Sequence, residues 1–182
     1  MGNVQRNVTI FGLKNAGKTT ILDYLRGISI GAVVRNSRER VGYRISVENA
    51  EMTLWEFGSI EDYESNSKIT KEKLNGIIYV IDSSNTKDFD STITRLTILI
   101  SEANFKHLPL VLFFNKQDKS RITLKKLQEA VGKDTPDAIL YAPCTAKTGE
   151  NLIMGIEWLD AIMTCSRRKL KKWKKMYANK SL

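Results

Sequence analysis

The chain has 182 residues, 42% hydrophobic and 27% charged, with 11 Gly and 3 Pro. That suits one domain with an ordinary core and excludes disordered, collagen-like and disulfide-scaffold classes. No apolar run approaches the roughly 20 residues of a membrane span, and no apolar stretch follows Met1 as a secretory signal would require. The net charge is +9, but Arg167, Arg168, Lys169, Lys171, Lys172, Lys174, Lys175 and Lys180 lie in a stretch without acids. Residues 1–164 then hold 21 basic against 20 acidic groups. The basicity belongs to a tail and not to a nucleic-acid-binding face. Cys144 and Cys165 stand in unrelated contexts, as reduced thiols of a cytoplasmic protein do.

Along the chain, Asn7–Phe11, Val41–Val47, Glu51–Phe57, Gly76–Asp82, Leu108–Asn115 and Ala138–Thr145 read as strands. Several are almost continuously apolar, the pattern of strands buried on both faces of a mainly parallel sheet. Lys18–Leu25, Thr86–Ala103, Thr123–Val131 and Asn151–Met163 carry apolar residues at helical spacing. A short loop at residues 48–50 makes Val41–Val47 and Glu51–Phe57 an antiparallel hairpin. The expectation is a three-layer α/β domain over 1–164, with Ser166–Met176 opening a basic helical extension over 165–182.

Gly12-Leu13-Lys14-Asn15-Ala16-Gly17-Lys18-Thr19 fits GxxxxGK[ST], after a strand and before a helix. Glycines there let backbone N–H groups turn inward around phosphates, and the helix N-terminus adds positive potential. Lys18 is the candidate for the terminal phosphates and the Thr19 hydroxyl for Mg²⁺, with Thr20 next on the helix. Asn115-Lys116-Gln117-Asp118 follows an apolar strand at the carboxyl edge of the sheet, where ligands bind in such folds. A carboxylate at Asp118 accepts the N1–H and exocyclic amine of guanine, donors that adenine lacks in that geometry. Thr145-Ala146-Lys147 follows the next strand and offers a backbone N–H for the guanine oxygen, with Lys147 near the base. The competing reading, an ATP-using P-loop kinase, has no reason to carry these two segments.

With GLKNAGKTT, Trp55, VIDSS, FFNKQD and GIEWL, the chain resembles small GTPases of the Ras superfamily, specifically the Arf and Arf-like family, over residues 7–164. The resemblance implies a P-loop NTPase domain with a six-stranded sheet and helices on both faces. It also implies binding of GTP or GDP with Mg²⁺ and two switch segments that rearrange between nucleotide states. The implied function is a molecular switch at a membrane surface in trafficking or signalling. The alternative is a pseudo-GTPase adaptor that stays nucleotide-bound and recruits partners without cycling.

Departures from the family pattern are concentrated in the switches. Where Arf-like proteins carry W-D-x-G-G-Q, this chain has Trp55-Glu56-Phe57-Gly58-Ser59-Ile60. Glu56 still offers a carboxylate to Mg²⁺ through water, and Gly58 an N–H to the γ-phosphate. Ile60 replaces the Gln that orients the attacking water and has no hydrogen-bonding group, so weak hydrolysis is expected. In switch I the family's Mg²⁺-capping Thr is missing. One placement puts Ser37 there, able to ligate, and another puts Arg40, unable to. Lys14 stands where the family has Asp, either strengthening triphosphate binding or pointing to solvent. Asn66 and Ser67 replace a Leu-Trp pair that Arf proteins offer to effectors. Gly2 is present, but Arg6 occupies the Ser/Thr slot of the myristoylation pattern. The basic tail, 167–175 with Trp173, is a candidate for an anionic membrane surface. A solvated helix end or a partner's groove are the alternatives.

Overall fold

The computed structural model describes residues 6–29, 33–35, 41–47, 50–65, 74–132, 135–136 and 138–164. Gly2, Ser37, Arg40, Asn66, Ser67 and the tail at 167–175 lie outside the described residues, as does the side chain of Ile60.

The strands are β1 (Asn7–Phe11), β2 (Val33–Arg35), β3 (Val41–Val47), β4 (Ala50–Glu56), β5 (Leu74–Asp82), β6 (Leu110–Asn115) and β7 (Ile139–Pro143). They form one sheet in the order β2-β3-β4-β1-β5-β6-β7. The six expected strands are all present, and β2 adds three residues at the antiparallel edge. β3 pairs β4 antiparallel as the hairpin requires, while β4, β1, β5, β6 and β7 run parallel. Gly42 lies opposite Trp55 in that hairpin, where a Cβ would come within 2.8 Å of the indole.

The helices are α1 (Lys18–Ile28), α2 (Ile60–Glu64), α3 (Phe89–Ser101), α4 (Leu124–Val131) and α5 (Leu152–Thr164), with a 3₁₀ turn at Gln117–Lys119. α3 starts later than the periodicity at Thr86 suggests, because the Asn85 side chain accepts from the N–H groups of Lys87 and Asp88 and holds a turn there. β6 begins after Pro109, which has no N–H to give a ladder.

Strand parity divides the core into two. Val8 and Ile10, Ile78 and Val80, and Val111 and Phe113 pack with α1 and α5 on one face. Phe11, Ile77 and Tyr79, and Leu112 and Phe114 pack with Tyr63 of α2 and with α3 and α4 on the other. Because successive side chains point to opposite faces, an unbroken apolar strand is what a sheet covered on both sides needs. The carboxyl ends of β1, β5, β6 and β7 therefore emerge at one edge between two helical layers.

Candidate nucleotide site

The loop joining β1 to α1 bends through Gly12 (φ 145°), Asn15 (φ 64°) and Gly17 (φ 103°), all in the left-handed region. A Cβ at Gly12 would meet the Val80 carbonyl at 2.4 Å, and one at Gly17 the Asn115 Nδ2 at 2.2 Å. Glycine is needed at both, for backbone angle and for space. Lys18 is buried at the head of α1, and its Nζ donates to the carbonyls of Gly12 (2.8 Å) and Leu13 (3.1 Å). Burial lowers its ammonium below the ordinary lysine value, partly offset by the negative charge of Glu56. Lys14, Asn15, Thr19 and Thr20 are exposed around this loop.

Asn115 ties the loop to the rest of the edge. Its Nδ2 donates to the Ala16 carbonyl at 2.9 Å, and its Oδ1 accepts the Ala146 N–H at 2.9 Å. One amide of the turn expected to offer an N–H to guanine, that of Ala146, is thus engaged by Asn115, which links the P-loop, the β6 end and the Thr145-Ala146-Lys147 turn through one side chain. That turn is closed by Gly149 (φ 80°), whose N–H donates to the Thr145 carbonyl, and by the Thr145 hydroxyl on Glu150 at 3.1 Å. The Gln117 N–H donates to the Cys144 carbonyl at 3.2 Å, fixing the 3₁₀ turn against the β7 end. Asp118 and Lys147 are exposed at the two sides of this mouth.

Lys116 has φ 64° and ψ 41°, and its Nζ meets the Asp82 carboxylate at 2.6 Å. The other Asp82 oxygen accepts from the Ser84 N–H (2.9 Å) and hydroxyl (2.6 Å). Burial pushes the Asp82 carboxyl up, but the bonds from Lys116 and Ser84 outweigh it and hold it below the usual aspartate value. In the sequence Asp82 stands out only as part of VIDSS, and that pattern does not predict its pairing with Lys116. The available signal was its place at the carboxyl end of a buried strand beside β6.

At the far side of the loop, the Thr19 hydroxyl donates to Glu56 at 3.1 Å. The two are hard oxygen donors, one from α1 and one from the end of β4, and such donors fit a Mg²⁺ site. Among the described residues no cluster of three or more His, Cys, Asp or Glu is placed to hold a metal. A cation here would therefore draw its remaining ligands from phosphate and water, as Mg²⁺ does. Gly58 donates its N–H to Asp62 Oδ2 at 3.2 Å, and Ser59 Oγ accepts from the Asp62 N–H at 3.2 Å, capping the short α2. A cavity of about 510 Å³ separates Gly12 and Leu13 from Gly58 and Ser59, with Arg95 and Ile98 of α3 also on its wall.

The profile of the ADP-ribosylation factor family matches residues 2–163. The ADP-ribosylation factor-like protein 3 of Caenorhabditis elegans is 29% identical over 170 residues, covering 89% of this chain and 90% of that protein. The ADP-ribosylation factor-like protein 2 of Drosophila melanogaster is 28% identical over 163 residues, 86% of each. The ADP-ribosylation factor-related protein 1 of Rattus norvegicus is 26% identical over 166 residues, 84% of this chain and 82% of that protein. A P-loop ahead of α1, a mainly parallel sheet and a family match across nearly the whole domain agree, and the chain belongs to the ADP-ribosylation factor family of small GTPases.

Proposed function

We propose that this chain is a guanine-nucleotide switch that binds GTP or GDP with Mg²⁺ and hydrolyses GTP weakly. The observation that carries the reading is Asn115, whose two hydrogen bonds join the phosphate loop to the turn at Ala146. One ligand reaching from phosphates to base would span the parts that this side chain joins. In the reading, the backbone amides of residues 12–17 and the N-terminus of α1 receive the phosphates, and Lys18 exchanges its two carbonyl partners for phosphate oxygens. Asp118 accepts from guanine, with the Ala146–Lys147 turn and the Lys147 stem beside the ring. Thr19, and Glu56 through water, would hold Mg²⁺, which when bound supplies charge neutralisation at the β- and γ-phosphates. Ser37 is the remaining candidate ligand from switch I.

Hydrolysis is the weak function because the chain has Ile60 where a water-orienting Gln is expected, and proximity and alignment of that water carry much of the rate. The adaptor alternative rests on the same residue, and the family match gives it no separate support. The basic segment 167–175 suits an anionic bilayer surface, at about 1 kcal/mol per basic residue near it. Titration with fluorescent GDP and fluorescent ATP tests the central reading. Preference for GDP is expected, and preference for ATP would overturn it.

A further inference from the structure

Asp82 closes β5 and is bonded to Lys116 at the carboxyl edge of the sheet. Lys116 holds a left-handed backbone (φ 64°, ψ 41°), a conformation disfavoured for any residue with a Cβ. Directly after it comes the 3₁₀ turn Gln117–Lys119, which carries Asp118 at the mouth. Such a backbone persists where surrounding contacts over-determine it, and here the constraint runs through the lysine's own side chain. Its Nζ is held at 2.6 Å by Asp82, whose second oxygen is fixed by Ser84 at 2.6 and 2.9 Å. Asp82 lies opposite Asn115 in the β5–β6 ladder. The next residue, Ser83, donates its N–H to the Asn115 carbonyl and accepts from the N–H groups of Arg121 and Ile122. The segment after β5 thus clamps the Asn115–Ile122 loop at both ends by backbone and at its strained residue by charge.

We propose that Asp82 is a positioning residue for nucleotide retention, acting through Lys116 to keep the loop carrying Asp118 in its guanine-accepting geometry. The proposal rests on the guanine-nucleotide reading above. It sets Asp82 apart from an ordinary structural carboxylate, because its effect must pass through the Lys116 ammonium.

The test is release of N-methylanthraniloyl-GDP from preloaded wild-type protein, Asp82→Asn, Lys116→Met and the double variant, with the thermal midpoint of each recorded. Asp82→Asn keeps the side-chain volume and removes the charge. Losing a charge-assisted hydrogen bond predicts roughly tenfold faster release. In the Lys116→Met background the same substitution should change the release rate no further, the signature of two residues acting as one unit. An unchanged rate in Asp82→Asn overturns the proposal. Equal acceleration with and without Lys116 overturns it too, since Asp82 would then act on the fold and not through the lysine. Should Asp82→Asn fail to fold, Ser84→Ala removes a hydroxyl from the same carboxylate, and its effect must likewise vanish in Lys116→Met. Wild-type protein that retains no labelled GDP would overturn the guanine reading itself. Slow wild-type release with Asp82→Asn unmoved would sink only the role of Asp82.

Discussion

Gly17 and Gly132 both have positive φ, at 103° and 73°, yet they stand in opposite surroundings. Among the described residues nothing lies within 4 Å of a Cβ built at Gly132, while one at Gly17 would strike Asn115 Nδ2 at 2.2 Å. Gly132→Ala, at φ 73° and ψ −157°, should cost about 1–3 kcal/mol in denaturant unfolding through backbone strain alone and leave GDP affinity unchanged. Gly17→Ala is strained at φ 103° and ψ 18° and must also displace the side chain that bonds Ala16 and Ala146, so GDP affinity should fall by at least about tenfold. Equal GDP affinities in the two variants would refute the linking role of Asn115. At position 60 the expected outcome concerns rate. Ile60→Gln should raise single-turnover GTP hydrolysis above wild type, because it restores a group able to hold water in line. Wild-type turnover equal to or above that of the variant contradicts the missing-Gln account.

At the scale of elements, the parallel strands were legible because burial on both faces leaves long apolar runs, and their parity then assigns each side chain to α1 and α5 or to α2, α3 and α4. The two elements not anticipated, β2 and α2, are three and five residues long. Segments that short show no period. β2 forms because β3 offers a free edge to pair with, and α2 because Ser59 caps it and Tyr63 reaches the aromatic cluster of Phe11, Phe57 and Phe105. α4 owes its start to a cap as well, the Thr123 hydroxyl accepting from the Lys126 N–H at 3.2 Å. Thr123→Ala should lower unfolding stability by about 1 kcal/mol without altering nucleotide affinity. Thr123→Ser should recover most of that loss.

Across the whole molecule, the lead-in to β1 is anchored to α5, where the Arg6 guanidinium pairs with the partly buried Asp160 and also donates to the Glu51 carbonyl. The residue noted in sequence as the one that spoils the myristoylation pattern is therefore a tie between the start of the sheet and the last helix. Charge is distributed unevenly at this scale, with residues 1–164 near neutrality and eight uncompensated positive charges beyond. Co-sedimentation with vesicles should require anionic lipid, weaken steeply as salt shortens the Debye length, and drop on deletion of 167–175. Binding indifferent to lipid charge and salt would refute a polybasic contact.

Sequence by itself determined the fold class and the phosphate loop, for a physical reason. Strand burial, helix periodicity and the glycines of a tight anion-binding turn are local requirements, written in consecutive residues. It also brought forward Asn115, Asp118 and the turn at Thr145, since each follows an apolar strand whose carboxyl end must face the ligand edge. Only the tertiary structure decided how those segments are held together. Asn115 reaches Ala16 and Ala146 across 99 and 31 positions of chain, and Asp82 reaches Lys116 across 34. No periodicity encodes such pairs, because they exist only once parallel strands bring their carboxyl ends side by side.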